Sequence, residues 1–183
     1  MSALSIAQGA TDVPLLETTI GQALLNIVAD HGDGLALVSR HQSIRWTWAQ
    51  LLAQVDAVAT GLLALGVGKG DRVGIWAPNC AEWTVIQFAT ARIGAILVNI
   101  NPAYRTSEVD YALNKVGCSL LVTAPRFKSS DYVAMLREIG PDRLPALRHV
   151  VVLGDERHGG WLNWSDLLVQ ADPARLTGIE ASL

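Results

Sequence analysis

Residues 72–105 read RVGIWAPNCAEWTVIQFATARIGAILVNINPAYR, and this stretch decides the fold. Two runs rich in Val, Ile and Leu, Arg72–Trp76 and Ala95–Ile100, enclose a helix-like segment, Cys80–Ile93. Neither run alternates cleanly with polar residues, and strands that are covered on both faces of a parallel sheet have this character. The stretch therefore predicts a strand, a helix and a second buried strand, followed by a proline-containing loop.

The same alternation continues toward the C-terminus. Apolar runs at Ser119–Thr123 and His149–Leu153 are preceded by helix-like segments at Ser107–Val116 and Ser130–Ile139. This order predicts an α/β fold with a doubly wound, mostly parallel sheet, flanking helices and right-handed crossovers. A last helix is expected over Trp164–Gln170, before a polar end.

Two capping signatures precede the central stretch. Thr19 with Gln22 and Thr47 with Gln50 have the spacing of capping boxes and predict the starts of two helices. Short strand-like runs between these helices indicate a hairpin. The second helix carries apolar residues at spacings of three and four, and Asp56 falls away from that stripe.

Composition favours a large buried core. Hydrophobic residues make up 50% and charged residues 17% of the 183 residues, so disorder is not expected. The net charge of −3 argues against nucleic-acid binding, which uses a basic face to displace counterions. No Lys or Arg precedes Arg40, unlike the basic start of a targeting segment, and the most apolar stretch, 57–68, is too short to span a bilayer. A cytoplasmic protein without a membrane span is the prediction.

The sequence shows no pattern for metal or nucleophilic chemistry. Cys80 and Cys118 lack the spacing of a zinc site or a redox motif, so we expect small buried side chains at both positions. The four histidines form no helical i,i+4 metal pair. The glycines of 66–71 follow a helix and lead into a strand, whereas a phosphate loop follows a strand and opens a helix. A helix stop and a turn are predicted there.

Two loops follow predicted strands at the edge where open α/β sheets gather ligands. Asn79 lies after the first strand, where it can cap the next helix together with Glu82 or contact a substrate. Asn101, Tyr104 and Arg105 lie after the next strand, where they can reach a ligand or anchor the loop. Asn79, Asn101, Tyr104 and Arg105 are the candidate substrate-binding residues, and the capping and anchoring roles are the favoured alternatives.

Several phrases occur in this chain in a fixed order: Thr47–Leu51, Gly68–Ile75, Pro78–Trp83, Ile93–Arg105 and Glu108–Leu113. In order and spacing they resemble the N-terminal domain of the adenylate-forming, or AMP-binding, acyl-CoA synthetases. The phrase Asn99–Arg105 is most similar to the fatty-acyl-CoA ligase branch. Residues 1–18 are a polar lead without periodicity. From there on, the resemblance implies an N-terminal α/β subdomain over residues 19–183, ending before the ATP-phosphate loop.

The resemblance implies an enzyme that activates a fatty acid with ATP, releases pyrophosphate and passes the acyl group from AMP to coenzyme A. ATP, magnesium and coenzyme A are implied for the full-length family member. The family's phosphate loop, its adenine- and ribose-binding motifs and its C-terminal catalytic Lys have no matching position here. No catalytic, cofactor-binding or metal-binding residue is therefore assigned, and we expect an N-terminal fragment of a ligase that is inactive alone.

Two other functions are compatible with the residues. A naturally short, non-catalytic protein could pair with a ligase, another partner or itself through sheet surface that remains uncovered. A free-standing flavodoxin-like or receiver domain is disfavoured, because the chain lacks the acidic pair and Lys of a receiver and has no phosphate-gripping loop after its first strand.

Overall fold

The computed structural model describes residues 7–183. In chain order the helices are α1 (Ile20–His31), α2 (Trp48–Ala64), α3 (Ala81–Arg92), α4 (Thr106–Val116), α5 (Tyr132–Ile139), α6 (Trp164–Leu167) and α7 (Pro173–Glu180). The strands are β1 (Leu35–Ser39), β2 (Ile44–Thr47), β3 (Arg72–Trp76), β4 (Ile96–Asn99), β5 (Leu120–Thr123), β6 (Arg126–Phe127), β7 (Ser130–Asp131), β8 (His149–Val152) and β9 (Leu162–Asn163).

The central sheet has five parallel strands in the order β4–β3–β5–β8–β9. Val73 of β3 lies between Leu97 of β4 and Leu120 of β5. The chain steps from β3 outward to β4 and then crosses back to β5 on the other side. Because right-handed crossovers in opposite directions place their helices on opposite faces, α3 covers one face and α4 the other. The predicted doubly wound parallel sheet is confirmed.

Helix α2 is the centre of the more heavily covered face. It contacts α1, α3, α6 and α7, while α4 and α5 pack together on the other face. A Cβ placed at Gly61 of α2 would lie 2.3 Å from the carbonyl oxygen of Leu167, so only glycine lets α6 approach this closely. With 17 residues α2 is the longest helix described, and no helix in residues 7–183 is long and apolar enough to cross a membrane.

The two predicted capping boxes form to different extents. At α2 the Gln50 N–H donates to Thr47 Oγ1 (3.2 Å), and the Thr47 N–H donates to Gln50 Oε1 (2.9 Å), which confirms the box. At α1 the Gln22 N–H donates to Thr19 Oγ1 (3.0 Å). The Gln22 amide then donates to Asn26 Oδ1 (2.9 Å), so the second half of this box is replaced by a bond along the helix.

The helix predicted over Trp164–Gln170 covers only Trp164–Leu167, and it is not the last one, because residues 173–180 form α7. Asp172 caps this helix by accepting a hydrogen bond from the Arg175 N–H (3.0 Å), and Pro173 fills the first helical position, where no N–H is needed. Only Leu176 of this segment is a fully buried apolar residue, so the helix has little apolar periodicity to reveal it.

A buried ion cluster joins α7 to α2 and α3. The Arg92 side chain is only 2% exposed; its Nε donates to Asp56 Oδ1 (3.1 Å) and its Nη1 donates to Glu180 Oε2. Asp56, which falls away from the apolar stripe of α2, is nevertheless buried, and Arg92 supplies its countercharge. Burial raises the pKa of Asp56, while the charge of Arg92 acts in the opposite direction.

Candidate functional site

Three loops leave the carboxyl end of the central sheet side by side. Strand β3 lies between β4 and β5, so the segments that follow these strands, residues 77–80, 100–105 and 124–131, start from adjacent positions. The first two segments carry the candidate residues Asn79, Asn101, Tyr104 and Arg105. The predicted convergence at the ligand-gathering edge therefore follows from the observed strand order.

Asn79 does not cap α3. The helix begins at Ala81, and its N-cap is Cys80, which makes no side-chain capping bond. Asn79 lies one residue outside the cap, is exposed, and makes no side-chain hydrogen bond to another residue within 7–183. The capping interpretation is wrong by this one-residue shift, and Asn79 remains a candidate for substrate contact.

Gln42, in the turn between β1 and β2, takes over the capping role. Its Oε1 accepts a hydrogen bond from the Ala81 N–H (2.7 Å), and its Nε2 donates to Glu82 Oε2 (2.7 Å). The Ser39 hydroxyl donates to the same Oε1 (2.7 Å). The hairpin turn thus closes the N-terminus of α3 beside the loop of Asn79. Sequence reasoning missed this role, because the partners are about forty positions apart.

Replacing Gln42 with alanine should lower the free energy of unfolding by about 1 kcal/mol, the usual cost of losing a helix cap. Backbone hydrogen exchange should speed up at Ala81, whose N–H loses its acceptor. Urea unfolding and amide exchange measure the two effects. Gln87→Ala on the exposed side of α3 is the matched control and should change neither. Equal effects of the two variants would exclude this capping role.

The loop after β4 is held mostly by its own residues. Asn101 Oδ1 accepts a hydrogen bond from the Ala103 N–H (2.9 Å), which is an Asx-type turn. The Arg105 N–H donates to Glu108 Oε2 (2.7 Å) at the start of α4, and Arg105 Nη1 lies 3.3 Å from Ser130 Oγ in the neighbouring loop. These contacts favour anchoring roles for Asn101 and Arg105. Tyr104 is exposed, and its hydroxyl makes no hydrogen bond to the rest of the described chain.

A stacked aromatic pair connects β3, α5 and the loop after β4. Trp76, the last residue of β3, is fully buried and stacks on Tyr132 of α5 with ring centroids 3.6 Å apart and planes 12° apart. The Tyr132 hydroxyl donates to the carbonyl oxygen of Pro102. Burial raises the pKa of Tyr132 to about 12, so the phenol stays protonated and remains a donor. The sequence analysis did not foresee this pair, because its two rings lie 56 positions apart in the chain.

Basic side chains also stand at this edge. Arg105, Arg126 and Lys128 are all exposed in the loops after β4 and β5. Lys128 has a positive φ of 52°, an uncommon conformation for a residue other than glycine, in the turn between β6 and β7. These three side chains are candidates for contacts with anionic ligands, beside the carboxylates of Glu108 and Asp131 at the same edge. In the sequence, the pattern that could have indicated this basic edge is the pair Arg126 and Lys128 shortly after the buried strand β5.

The described residues contain no cluster of metal-ligating side chains. Within residues 7–183 no group of three or more His, Cys, Asp or Glu side chains is placed to hold a metal ion. No chemical step through a metal is therefore derived for this chain.

Both cysteines have thiols that resist ionisation. Burial, aided by the Glu82 carboxylate, raises the pKa of Cys80 to about 12, and burial raises that of Cys118 to about 11. Cys118 is buried as predicted, whereas Cys80 is only half-buried.

Iodoacetamide should therefore alkylate both cysteines much more slowly in the folded chain than in urea at pH 8, because the thiolate is the reactive form. The folded rate should increase as the pH rises toward the thiol pKa values. Intact-mass spectrometry over time measures the reaction. A folded rate at Cys80 equal to the unfolded rate at pH 8 would contradict the shifted pKa.

Comparison with known proteins identifies the family. The family model described as AMP-binding enzyme matches residues 25–177. The chain belongs to the AMP-binding enzyme family. Two relatives are named "Medium-chain acyl-CoA ligase ACSF2, mitochondrial": the Mus musculus protein is 46% identical over 139 residues, and the Danio rerio protein is 39% identical over 170 residues. The solved acetoacetyl-CoA synthetase from Streptomyces lividans matches with a TM-score of 0.73 and 30% identity.

These AMP-binding relatives are much longer than the chain. The matches cover 76% of the chain but 23% of the mouse protein, and 86% of the chain but 28% of the Danio rerio protein. The Streptomyces structure matches over 85% of the chain and 26% of its own length. The predicted resemblance to acyl-CoA synthetases is confirmed.

The prediction of a cytoplasmic protein is wrong, because the mouse, macaque and human relatives of this AMP-binding chain are all named mitochondrial. The prediction rested on the lack of basic residues before Arg40. A targeting segment acts independently of the fold that it accompanies, so the composition of the domain does not indicate the cellular compartment.

Proposed function

We propose that the chain is the N-terminal part of a fatty acid–CoA ligase, which adenylates a fatty acid with ATP and then forms a thioester with coenzyme A. The observation that carries the proposal is the switch in strand order at β3, in a chain of the AMP-binding family. That switch aligns three loops at the edge where ligands bind in doubly wound sheets. The ACSF2 relatives, named as medium-chain acyl-CoA ligases, support a fatty acid as the substrate.

In this proposal the chain supplies one wall of the cleft for the acyl group and the nucleotide. Asn79 and Tyr104 present side chains that no described residue engages, and Arg105, Arg126 and Lys128 supply positive charge for polyanionic substrates. Phosphoryl chemistry depends on positioned cationic and N–H donors around the reacting phosphorus. The described residues do not concentrate such donors at one point, so the role of the chain is to bind and to support.

The isolated chain should therefore release no AMP from ATP in the presence of magnesium, a fatty acid and coenzyme A. AMP measured over time by chromatography should equal the no-protein blank, while a complete fatty acid–CoA ligase in a parallel reaction should show turnover. Sustained AMP release by the isolated chain, dependent on the fatty acid, would show that the reacting groups lie within these 183 residues.

The exposed strand edge favours a second candidate function, a short interaction protein. Strand β4 forms one edge of the central sheet, and Ile96 on it is 52% exposed. Open edges with apolar side chains pair readily with other chains. A second polypeptide that co-purifies with the native protein and is released by Ile96→Lys would support this function. The ligase proposal instead predicts that the native polypeptide releases AMP in the presence of a fatty acid.

A further inference from the structure

A pocket of about 370 Å³ lies away from the loops at the carboxyl end of the sheet. It is bounded by the last turn of α5, by the segment that leads into β8, and by residues 159–162, which lead into β9. Its volume lies within the range of small-molecule sites. Leu136, Leu144 and Leu162 contribute to an apolar wall.

Both charged side chains that line the pocket are basic. They are Arg137 and Arg148, and no Asp or Glu among the described residues lines it, although the chain as a whole has a net charge of −3. Arg148 is already engaged, since its Nη2 lies 3.6 Å from Asp71 Oδ2 and donates to the carbonyl oxygen of Gly66. Among residues 7–183 Arg137 has no carboxylate partner and no hydrogen bond. Arg137 is therefore the charged group of the pocket that can pair with an anionic ligand.

Trp161 holds the Arg137 guanidinium at the pocket wall. The guanidinium carbon lies 5.6 Å from the centroid of the indole ring, within cation–π distance. This contact limits the side-chain freedom of Arg137 without neutralising its charge. When a ligand anion pairs with Arg137, this side chain therefore loses less conformational entropy than an unrestrained arginine would lose.

Backbone donors lie on the same side of the pocket as Trp161. Gly159 and Gly160 line the pocket, and their N–H groups donate no hydrogen bond within the part of the chain described. N–H groups and a guanidinium together suit a carboxylate, which accepts several hydrogen bonds. The leucine wall suits an aliphatic body.

We propose that this pocket binds a small amphipathic carboxylate, with its charged end at Arg137 and its aliphatic chain against the leucine wall. The proposal rests on the pocket alone and does not depend on the ligase function. An aliphatic alcohol of the same length fits the same wall but carries no charge. Discrimination between the acid and the alcohol is therefore the expected property of the site.

Octanoate titrated into the 183-residue chain, followed by NMR of the Trp161 indole N–H, tests the proposal. We expect a saturable shift of this signal, with octan-1-ol binding at least about tenfold more weakly because a charge-assisted hydrogen bond is lost. Arg137→Gln should weaken octanoate binding by roughly tenfold. Arg175→Gln, at an exposed arginine of α7 outside the pocket, is the matched control and should leave the affinity unchanged.

Three results would overturn the proposal: no saturable shift of the Trp161 signal, equal affinities for octanoate and octan-1-ol, or unchanged octanoate affinity in Arg137→Gln. Because Arg137 is exposed, the variant should fold, and its amide spectrum verifies this. A shift confined to the loops after β3 and β4 would likewise place octanoate elsewhere and reject this pocket.

Discussion

Replacing Arg92 with methionine should lower the free energy of unfolding by about 3–5 kcal/mol, the cost of breaking a buried ion pair from one side. Methionine keeps a long, apolar side chain, so the change removes mainly the charge. Asp56 and Glu180 would then face each other's charge without a countercharge in a largely buried site. Unfolding in urea, monitored by tryptophan fluorescence, measures the loss.

The pH dependence separates this electrostatic cause from a packing defect. Burial already raises the pKa of Asp56, and removal of Arg92 should raise it further. A carboxyl group with a raised folded-state pKa binds a proton more tightly in the folded chain than in the unfolded chain. The variant should therefore recover stability as the pH falls through the folded-state pKa of Asp56 and lose it again as the pH rises.

Arg143→Met is the matched control. Arg143 pairs with Asp110, but its side chain is 65% exposed, so the pair is screened by water. Its loss should cost at most about 1 kcal/mol. If Arg92→Met and Arg143→Met cost the same, or if the cost at Arg92 does not change with pH, the buried cluster does not have the role described.

Replacing Trp76 with alanine should lower the free energy of unfolding by about 3–5 kcal/mol. The substitution removes the largest fully buried side chain and leaves a cavity at the end of β3. It also removes the stacking partner of Tyr132, whose hydroxyl holds the carbonyl of Pro102. Urea unfolding measures the total cost, and hydrogen exchange in residues 100–105 reports the loosening of the loop.

Trp76→Phe distinguishes stacking from volume. Phenylalanine can still stack on Tyr132, and it removes the buried Trp76 N–H, which has no hydrogen-bond partner within residues 7–183. An unpartnered buried donor is costly, so its removal offsets part of the lost contact area. We expect a much smaller loss than for alanine, with loop exchange nearly unchanged. Equal losses for the two variants would contradict a role for the stacked pair in holding the loop.

The central sheet could be predicted because its signals are local. The apolar runs at residues 72–76, 95–100, 119–123 and 149–153 lie within one or two residues of the observed strands β3, β4, β5 and β8. Capping spacings located the start of α2, since both partners of that box lie within one helical turn. Apolar runs and capping spacings of this length can be recognised in a sequence without knowledge of the tertiary structure.

The missed features all depend on distant partners. The burial of Asp56 was not foreseen because its countercharge, Arg92, lies 36 positions away. Gln42 lies within the predicted hairpin and was given no further role, although it caps a helix that starts at Ala81. Helix α7 has a capping Asp172 but little apolar periodicity, and its packing against α2 and α3 stabilises it. Long-range pairs of this kind leave no periodic pattern in a single sequence.

The candidate site was predicted in place but not in detail. The loops of Asn79 and Asn101 lie at the expected edge of the sheet, because their position follows from strand order alone. The hydrogen bonds that engage Asn101 and Arg105, and leave Asn79 without a partner among the described residues, depend on loop geometry that sequence periodicity does not encode.

The central claim is that this chain is the N-terminal part of a fatty acid–CoA ligase. The most direct test is the release of AMP by the native polypeptide, isolated from its source cells with an antibody against residues 7–183 and supplied with ATP, magnesium, coenzyme A and octanoate or palmitate. We predict AMP release that requires both the fatty acid and the polypeptide. AMP release no greater than that of a precipitate made with pre-immune antibody would contradict the claim.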